Sequence, residues 1–179
     1  MKREVKNMNI FLVGYRCSGK TSVGKTLARK LHRPFADADE ELVRENNMSI
    51  SDMVAQHGWD YFRQQERAVI RQLSSFDNYV IATGGGAILN PDNITDMKNS
   101  GFVVWLKATA RTIRYRILLD KITETQRPAL TDKGLLEEIE DLLAIRNPLY
   151  EKAMDMSVET DTPDADGICD IILKNFKTG

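Results

Sequence analysis

Cysteine is scarce in this chain. Its 179 residues include two, Cys17 and Cys169. They stand far apart, so they suggest neither a disulfide framework nor the spacing of a metal site. Reduced thiols in a cytoplasmic setting are the expectation. Long apolar runs are missing too. The opening MKREVKNMNIFLVG is basic, but its apolar run of about five residues is too short for a signal-peptide core. No segment approaches the roughly 20 residues of a membrane helix. An excess of charge of one sign is also absent. Lys and Arg number 25 against 26 Asp and Glu, a net charge of −1. Without a global basic field, neither nucleic acid nor membrane is expected as a partner, and any anion site must be built locally. No internal repeat or low-complexity tract occurs. The composition, 42% hydrophobic and 28% charged, is that of an ordinary globular protein. One domain over residues 1–179 and a monomer are expected.

What is present alternates. Apolar runs predict strands at 9–13, 35–37, 79–82, 102–107 and 156–159. Helical periodicity predicts helices at 21–31, 59–73 and 109–119, and one from about 165. Ser49-Ile50-Ser51-Asp52 reads as a helix start that Gly58 stops. Asn90-Pro91 reads as a cap and first-turn proline for a helix to about Lys98. A helix at 135–146 is expected to end before Pro148. Between the helices at 109–119 and 135–146, residues 120–134 are polar and irregular. Strands alternating with helices imply a mostly parallel sheet covered on both faces.

The most specific stretch is GYRCSGKT, residues 14–21. It matches G-x-x-x-x-G-K-[ST], a pattern that chance places in about 1% of chains this long. An apolar strand precedes it and a helix follows, as the chemistry requires. Successive backbone N–H groups wrap a phosphate, and the helix N-terminus adds the positive end of a dipole. Lys20 can reach the β- and γ-phosphates, and the Thr21 hydroxyl can bind Mg²⁺. A nucleoside triphosphate with Mg²⁺ is therefore expected. No N/T-K-x-D base-reading motif of a GTPase occurs. Asp164-Ala165-Asp166-Gly167 matches D-x-x-G but lies too far from the loop to sense a γ-phosphate, and reads as a turn. Cys17 is small enough for the loop if its backbone stays in the αR or extended region. Arg16, Lys20 and the helix start are surroundings that make a thiol reactive, while a buried inert cysteine is the alternative.

Other features suggest a small acceptor beside the γ-phosphate. FADAD places Asp37 and Asp39 at the end of a short strand, although Asp39, Glu40 and Glu41 would also suit the first turn of a helix. FRQQE places Arg63 and Glu66 at i, i+3: a surface ion pair, or an arginine held ready for a carboxylate. ATGGGA places Gly84, Gly85 and Gly86 at the carboxyl end of a strand, where they allow positive φ and close approach by a ligand. QRPAL places Arg127 in the polar segment, and RNPLY places Arg146 at an expected helix end.

Those six motifs, in that order and rough spacing, resemble shikimate kinase over residues 9–162. The resemblance implies a P-loop kinase three-layer α/β fold, with five parallel strands in order 2-3-1-4-5 and a mobile lid at about 120–134. It implies transfer of the γ-phosphate of ATP to the 3-hydroxyl of shikimate, toward chorismate and the aromatic amino acids. Gly14, Tyr15, Arg16, Cys17, Ser18, Gly19, Lys20, Thr21 and Ser22 would form the ATP loop, with Arg116 and Pro163 at the adenine. Thr21 would hold Mg²⁺ directly and Asp37 through water. Asp39 would bind the acceptor hydroxyl and take its proton. Arg63 and Arg146 would clamp the carboxylate near the three glycines, and Arg127 would bridge phosphates and acceptor. Lys20, Asp39 and Arg127 are the implied catalytic residues.

This chain departs from the family pattern at Cys17, where a glycine is usual. It departs again at Ala129 in the R-P-L-L lid motif and at Trp59, where glutamate usually follows glycine. None removes a charged group assigned to the chemistry. A gluconate kinase of the same fold is the alternative enzyme, and a nucleotide-binding module without turnover the alternative class.

Overall fold

The computed structural model describes residues 8–120 and 134–176. Five strands form one parallel sheet in the order β2-β3-β1-β4-β5. They are β1 (Asn9–Val13), β2 (Phe35–Asp37), β3 (Val80–Ala82), β4 (Gly101–Lys107) and β5 (Met156–Glu159). The helices are α1 (Lys20–Leu31), α2 (Ala38–Asn46), α3 (Ile50–Ser74), α4 (Pro91–Ser100), α5 (Ala110–Leu119), α6 (Leu135–Ala153) and α7 (Ala165–Phe176).

Strand β1 lies at the centre and is fully buried. Its side chains alternate between two cores, as a two-residue period demands. Ile10 and Leu12 pack with Val23, Leu27, Ile168 and Ile172 of α1 and α7. Phe11 and Val13 face the other way, onto Phe62, Ile70, Met97 and Tyr150 of α3, α4 and α6. Both faces are therefore covered, and the expected three-layer architecture and strand order are observed. No described helix is long and apolar enough to cross a membrane.

Register decides where the functional loops meet. Leu12 pairs with Ala82, and Ala82 pairs with Asp37. Strands β1, β2 and β3 thus end level, and the chain leaves all three at the carboxyl edge of the sheet. In an open parallel sheet that edge is where ligands bind.

Local signals act as expected in most places. Ser49 Oγ caps α3 by accepting from the Asp52 backbone N–H. Gly58, at φ 82° and ψ 171°, breaks α3 into two segments that follow each other directly, a conformation that an L side chain would strain. Asn90 caps α4 ahead of Pro91. Asp164 accepts from the Gly167 N–H at 2.8 Å, so that motif is the cap and first helical turn of α7 and not a separate turn.

Pro148 departs from expectation. Helix α6 does not stop before it but continues to Ala153. The proline removes one helical hydrogen bond, at a cost of about 3 kcal/mol. Continuing the helix buries Tyr150 and Ala153 completely and stacks Tyr150 on Trp105, with ring centroids 5.6 Å apart. Burial of an aromatic side chain contributes about 1.5–3 kcal/mol, so packing offsets most of the loss. Arg146 consequently lies within the helix rather than at its end, and a favourable helix-end charge does not account for it.

Candidate active site

The loop between β1 and α1 turns back on its own lysine. The Lys20 ammonium is buried and donates to the carbonyls of Gly14 and Tyr15, both at 2.8 Å. Thr21 Oγ1 donates to Asp37 Oδ2 at 2.8 Å, which joins the helix start to the end of β2. Asp37 Oδ1 accepts from the Asp39 N–H at 3.0 Å. Asp37 is thus the N-cap of α2, with Asp39, Glu40 and Glu41 in the first turn. The helix-start reading of FADAD holds; Asp37 is bonded to Thr21 after the loop, and Asp39 lines the pocket beside Tyr15 and Arg16. Thr21 and Asp37 offer hard oxygen donors, which suit Mg²⁺. No cluster of three or more His, Cys, Asp or Glu exists among the described residues to hold a metal alone. A Mg²⁺ shared with nucleotide phosphates needs only one or two protein oxygens.

The loop is a partition. Tyr15 and Arg16 line a pocket together with Asp39, Arg63, Glu66, Arg146 and the three glycines. Cys17, Ser18 and Gly19 line a second cleft, with Ser22, Arg116, Thr160 and Pro163. Two clefts sharing a phosphate-type loop as their common wall form the geometry of group transfer between two small molecules.

In the first pocket, Arg63 donates to Glu66 at 2.6 Å, and Glu66 is almost fully buried. Burial pushes the Glu66 carboxyl above its ordinary value, while Arg63 pulls the other way. The Arg63 guanidinium also lies 4.9 Å from the Phe62 ring centroid and 5.8 Å from that of Trp59. Arg146 is 7% exposed and donates to the Gly85 carbonyl at 3.4 Å. Tyr150 donates to the same carbonyl at 2.6 Å.

The three glycines serve by size. None takes the positive φ expected of them, which among the described glycines belongs to Gly14, Gly19 and Gly58. A β-carbon on Gly86 would instead strike the Arg63 guanidinium, and one on Gly84 would lie 2.8 Å from both Asp39 Oδ1 and Glu66 Oε1.

In the second cleft, Arg116 donates to the Cys17 carbonyl at 3.3 Å and to Thr160 Oγ1 at 3.2 Å, and also bonds the Thr160 carbonyl. Cys17 itself corrects an expectation. Its φ is 58°, the left-handed region and not αR or extended. A non-glycine residue there costs roughly 1–2 kcal/mol. Its side chain packs on the cluster of Tyr15, Ile113 and Ile117, contacts that help hold the conformation. We expect Cys17→Gly to keep the ATP KM and raise stability by up to about 1 kcal/mol, since strain relief exceeds the added freedom of the unfolded chain. Cys17→Val should lose stability and raise the ATP KM. Thermal midpoints and initial rates check both; a destabilised glycine variant would contradict the strain argument.

Arg127 and most of the expected lid lie outside the described residues. Several pocket residues were not evident as such from the sequence. Trp59, Phe62, Arg63 and Glu66 fall at i, i+3, i+4 and i+7, a helical stripe that could have revealed the first two. Glu138 and Thr160, which accept from the cleft-lining Arg16 and Arg116, carried no local signal, and Tyr150 lay within RNPLY without being singled out.

The family model described as shikimate kinase matches residues 16–177. The chain belongs to the shikimate kinase family. A shikimate kinase of Syntrophus aciditrophicus (strain SB) is 42% identical over 183 residues, covering 98% of this chain and 94% of that one. The solved structure of a shikimate kinase from Acinetobacter baumannii, in complex with shikimate, superposes with a TM-score of 0.89 at 34% identity, covering 96% and 93% of the two chains. A gluconokinase from Sinorhizobium meliloti gives a TM-score of 0.61 at 16% identity, a likeness of fold alone. Shikimate kinases are ATP-dependent transferases of aromatic amino-acid biosynthesis, and the gluconate-kinase alternative falls away as a distant neighbour.

Proposed function

We infer that this shikimate kinase moves the γ-phosphate of ATP to the 3-hydroxyl of shikimate across the loop at residues 14–21, giving shikimate 3-phosphate and ADP. The observation that carries the reading is the shared wall: Tyr15 and Arg16 on the acceptor side, Cys17 to Gly19 on the nucleotide side. Phosphoryl transfer depends on positioning and charge neutralisation more than on covalent help. The backbone of residues 14–19 and the Lys20 ammonium hold the phosphates. Arg116 and Pro163 border the base. Thr21, and Asp37 through water, would hold Mg²⁺, which would neutralise phosphate charge. Asp39 orients the acceptor hydroxyl and receives its proton. Arg63 and Arg146 grip the carboxylate, with Glu66 fixing Arg63. Arg127 is assigned to the bridge between phosphates and acceptor on the family resemblance, as is closure of residues 120–134 to exclude water. A cytoplasmic monomer is the proposed setting; Cys17 and Cys169 lie too far apart in sequence to suggest the disulfide framework of an oxidising compartment.

A coupled ADP-release assay with shikimate, gluconate and no acceptor tests the reaction. Turnover is expected with shikimate alone. Release with gluconate, or equal release without acceptor, would overturn the reading. The clamp is tested by Arg63→Lys. Lysine cannot reproduce a bidentate grip, so the shikimate KM should rise by about tenfold or more while the ATP KM changes little. Equal rises in both would indicate a misassigned site.

A further inference from the structure

The two arginines of the acceptor pocket are held by different means. Arg63 has Glu66 at 2.6 Å. Arg146 has no carboxylate partner among the described residues; it donates to Gly85 O at 3.4 Å and lies beside the Tyr150 hydroxyl. A guanidinium carries five donors, so one long bond and a hydroxyl neighbour fix its orientation only in part. What also borders it is an aromatic face. The Arg146 guanidinium carbon lies 5.5 Å from the centroid of the Tyr15 ring. That ring is 2% exposed and packed among Ile113, Ile117 and Ile139, so it forms a stiff wall. A second cation shares the ring: the Arg16 guanidinium carbon lies 5.8 Å from the same centroid. Two like charges on one ring would repel. Glu138, in the first turn of α6, accepts from Arg16 at 2.9 Å with both side chains largely buried, and supplies the missing countercharge.

We propose that Tyr15 is a positioning residue of the acceptor site: its ring holds the Arg146 guanidinium at the pocket wall, and Glu138 permits this by neutralising Arg16 beside the same ring. One side chain of the phosphate loop thereby sets the grip on the acceptor's carboxylate. A cation over an aromatic face is oriented as well as attracted, which a buried leucine, apolar but without a π face, cannot reproduce.

The test is a set of steady-state measurements of shikimate and ATP KM on wild type, Tyr15→Phe, Tyr15→Leu, Arg146→Lys and the Tyr15→Leu/Arg146→Lys double variant. Tyr15→Leu should raise the shikimate KM about 3- to 30-fold, the range of a partly desolvated cation–ring contact, and leave the ATP KM within about threefold. Tyr15→Phe, which keeps the ring, should bring the shikimate KM back to within about threefold of wild type. The double variant should be no worse than Arg146→Lys alone within about threefold, because both substitutions remove one arrangement. Effects that multiply in the double variant, a Phe variant as impaired as the Leu variant, or a parallel rise in ATP KM would each overturn the proposal. If Tyr15→Leu does not fold, Glu138→Gln alone and with Arg146→Lys completes the same cycle under the same criteria. The proposal rests on shikimate being the acceptor. A wild type inactive on shikimate removes that reading and the proposal with it, whereas an active wild type with multiplying effects overturns the proposal alone.

Discussion

Lys20→Ala is expected to leave a folded protein whose turnover is reduced about a thousandfold. The ammonium is buried at the loop and is held at 2.8 Å by the Gly14 and Tyr15 carbonyls. Its charge therefore stands where phosphate charge must gather. Removing one preorganised charge stabiliser from a water-poor site costs about 2.7–4 kcal/mol of transition-state stabilisation, a factor of about 10²–10³. Lys20 also closes the loop on itself, so the alanine variant loses shape as well as charge, and the upper end of that range is expected. Single-turnover rates separate this from weaker binding, and a thermal melt confirms folding. Near-normal turnover in the alanine variant would show that the loop at residues 14–21 is not the phosphate site.

The second large effect belongs to Asp39. Asp39→Asn should lose acceptor phosphorylation by about 10²–10⁴-fold, the usual contribution of a positioned proton acceptor, while nucleotide binding persists. Asp39 lines the pocket shared with Arg63, Glu66 and Arg146, and its backbone N–H donates to Asp37. Asp37→Asn is the informative contrast. Asp37 pairs with Thr21 at 2.8 Å, so that variant should shift the Mg²⁺ concentration needed for activity. Titration calorimetry checks the division of labour. An Asp39→Asn protein that loses ATP affinity yet keeps shikimate affinity would reverse the two roles.

The P-loop was legible because its chemistry is local. A strand, eight residues and a helix start contain the whole anion cradle, and no distant contact is needed to recognise it. The FRQQE pair was legible in outline for the same reason, since i, i+3 neighbours meet on any helix. Its meaning was not. An exposed Arg63–Glu66 pair would contribute only a few tenths of a kcal/mol, whereas here Glu66 is buried and the arginine is held at a pocket. Burial is a property of what α3 packs against, and the motif alone does not carry it. Pro148 shows the opposite failure. A strong local stop signal was overridden because Tyr150 and Ala153 gain a core position by continuing α6.

By itself, then, the sequence determined the alternation of strands and helices, the strand order through its family resemblance, and the identity of the charged groups. The alternation and the charged groups follow from periodicity, local sterics and short motifs, which act over a few residues; the strand order came only with the resemblance. Only the tertiary structure decided which groups share a cleft. Level strand ends bring Gly14, Asp37 and Gly84 to one edge of the sheet, although their loops are separated by tens of residues. It also decided that the glycines of residues 84–86 serve by lacking a side chain and not by positive φ. The same holds for Cys17, which takes a left-handed conformation that its own preferences disfavour. The link from Glu138 through Arg16 and Tyr15 to Arg146 exists only once α6 has docked on the loop. Such contacts depend on packing between segments more than a hundred residues apart, and no local pattern in the chain encodes them.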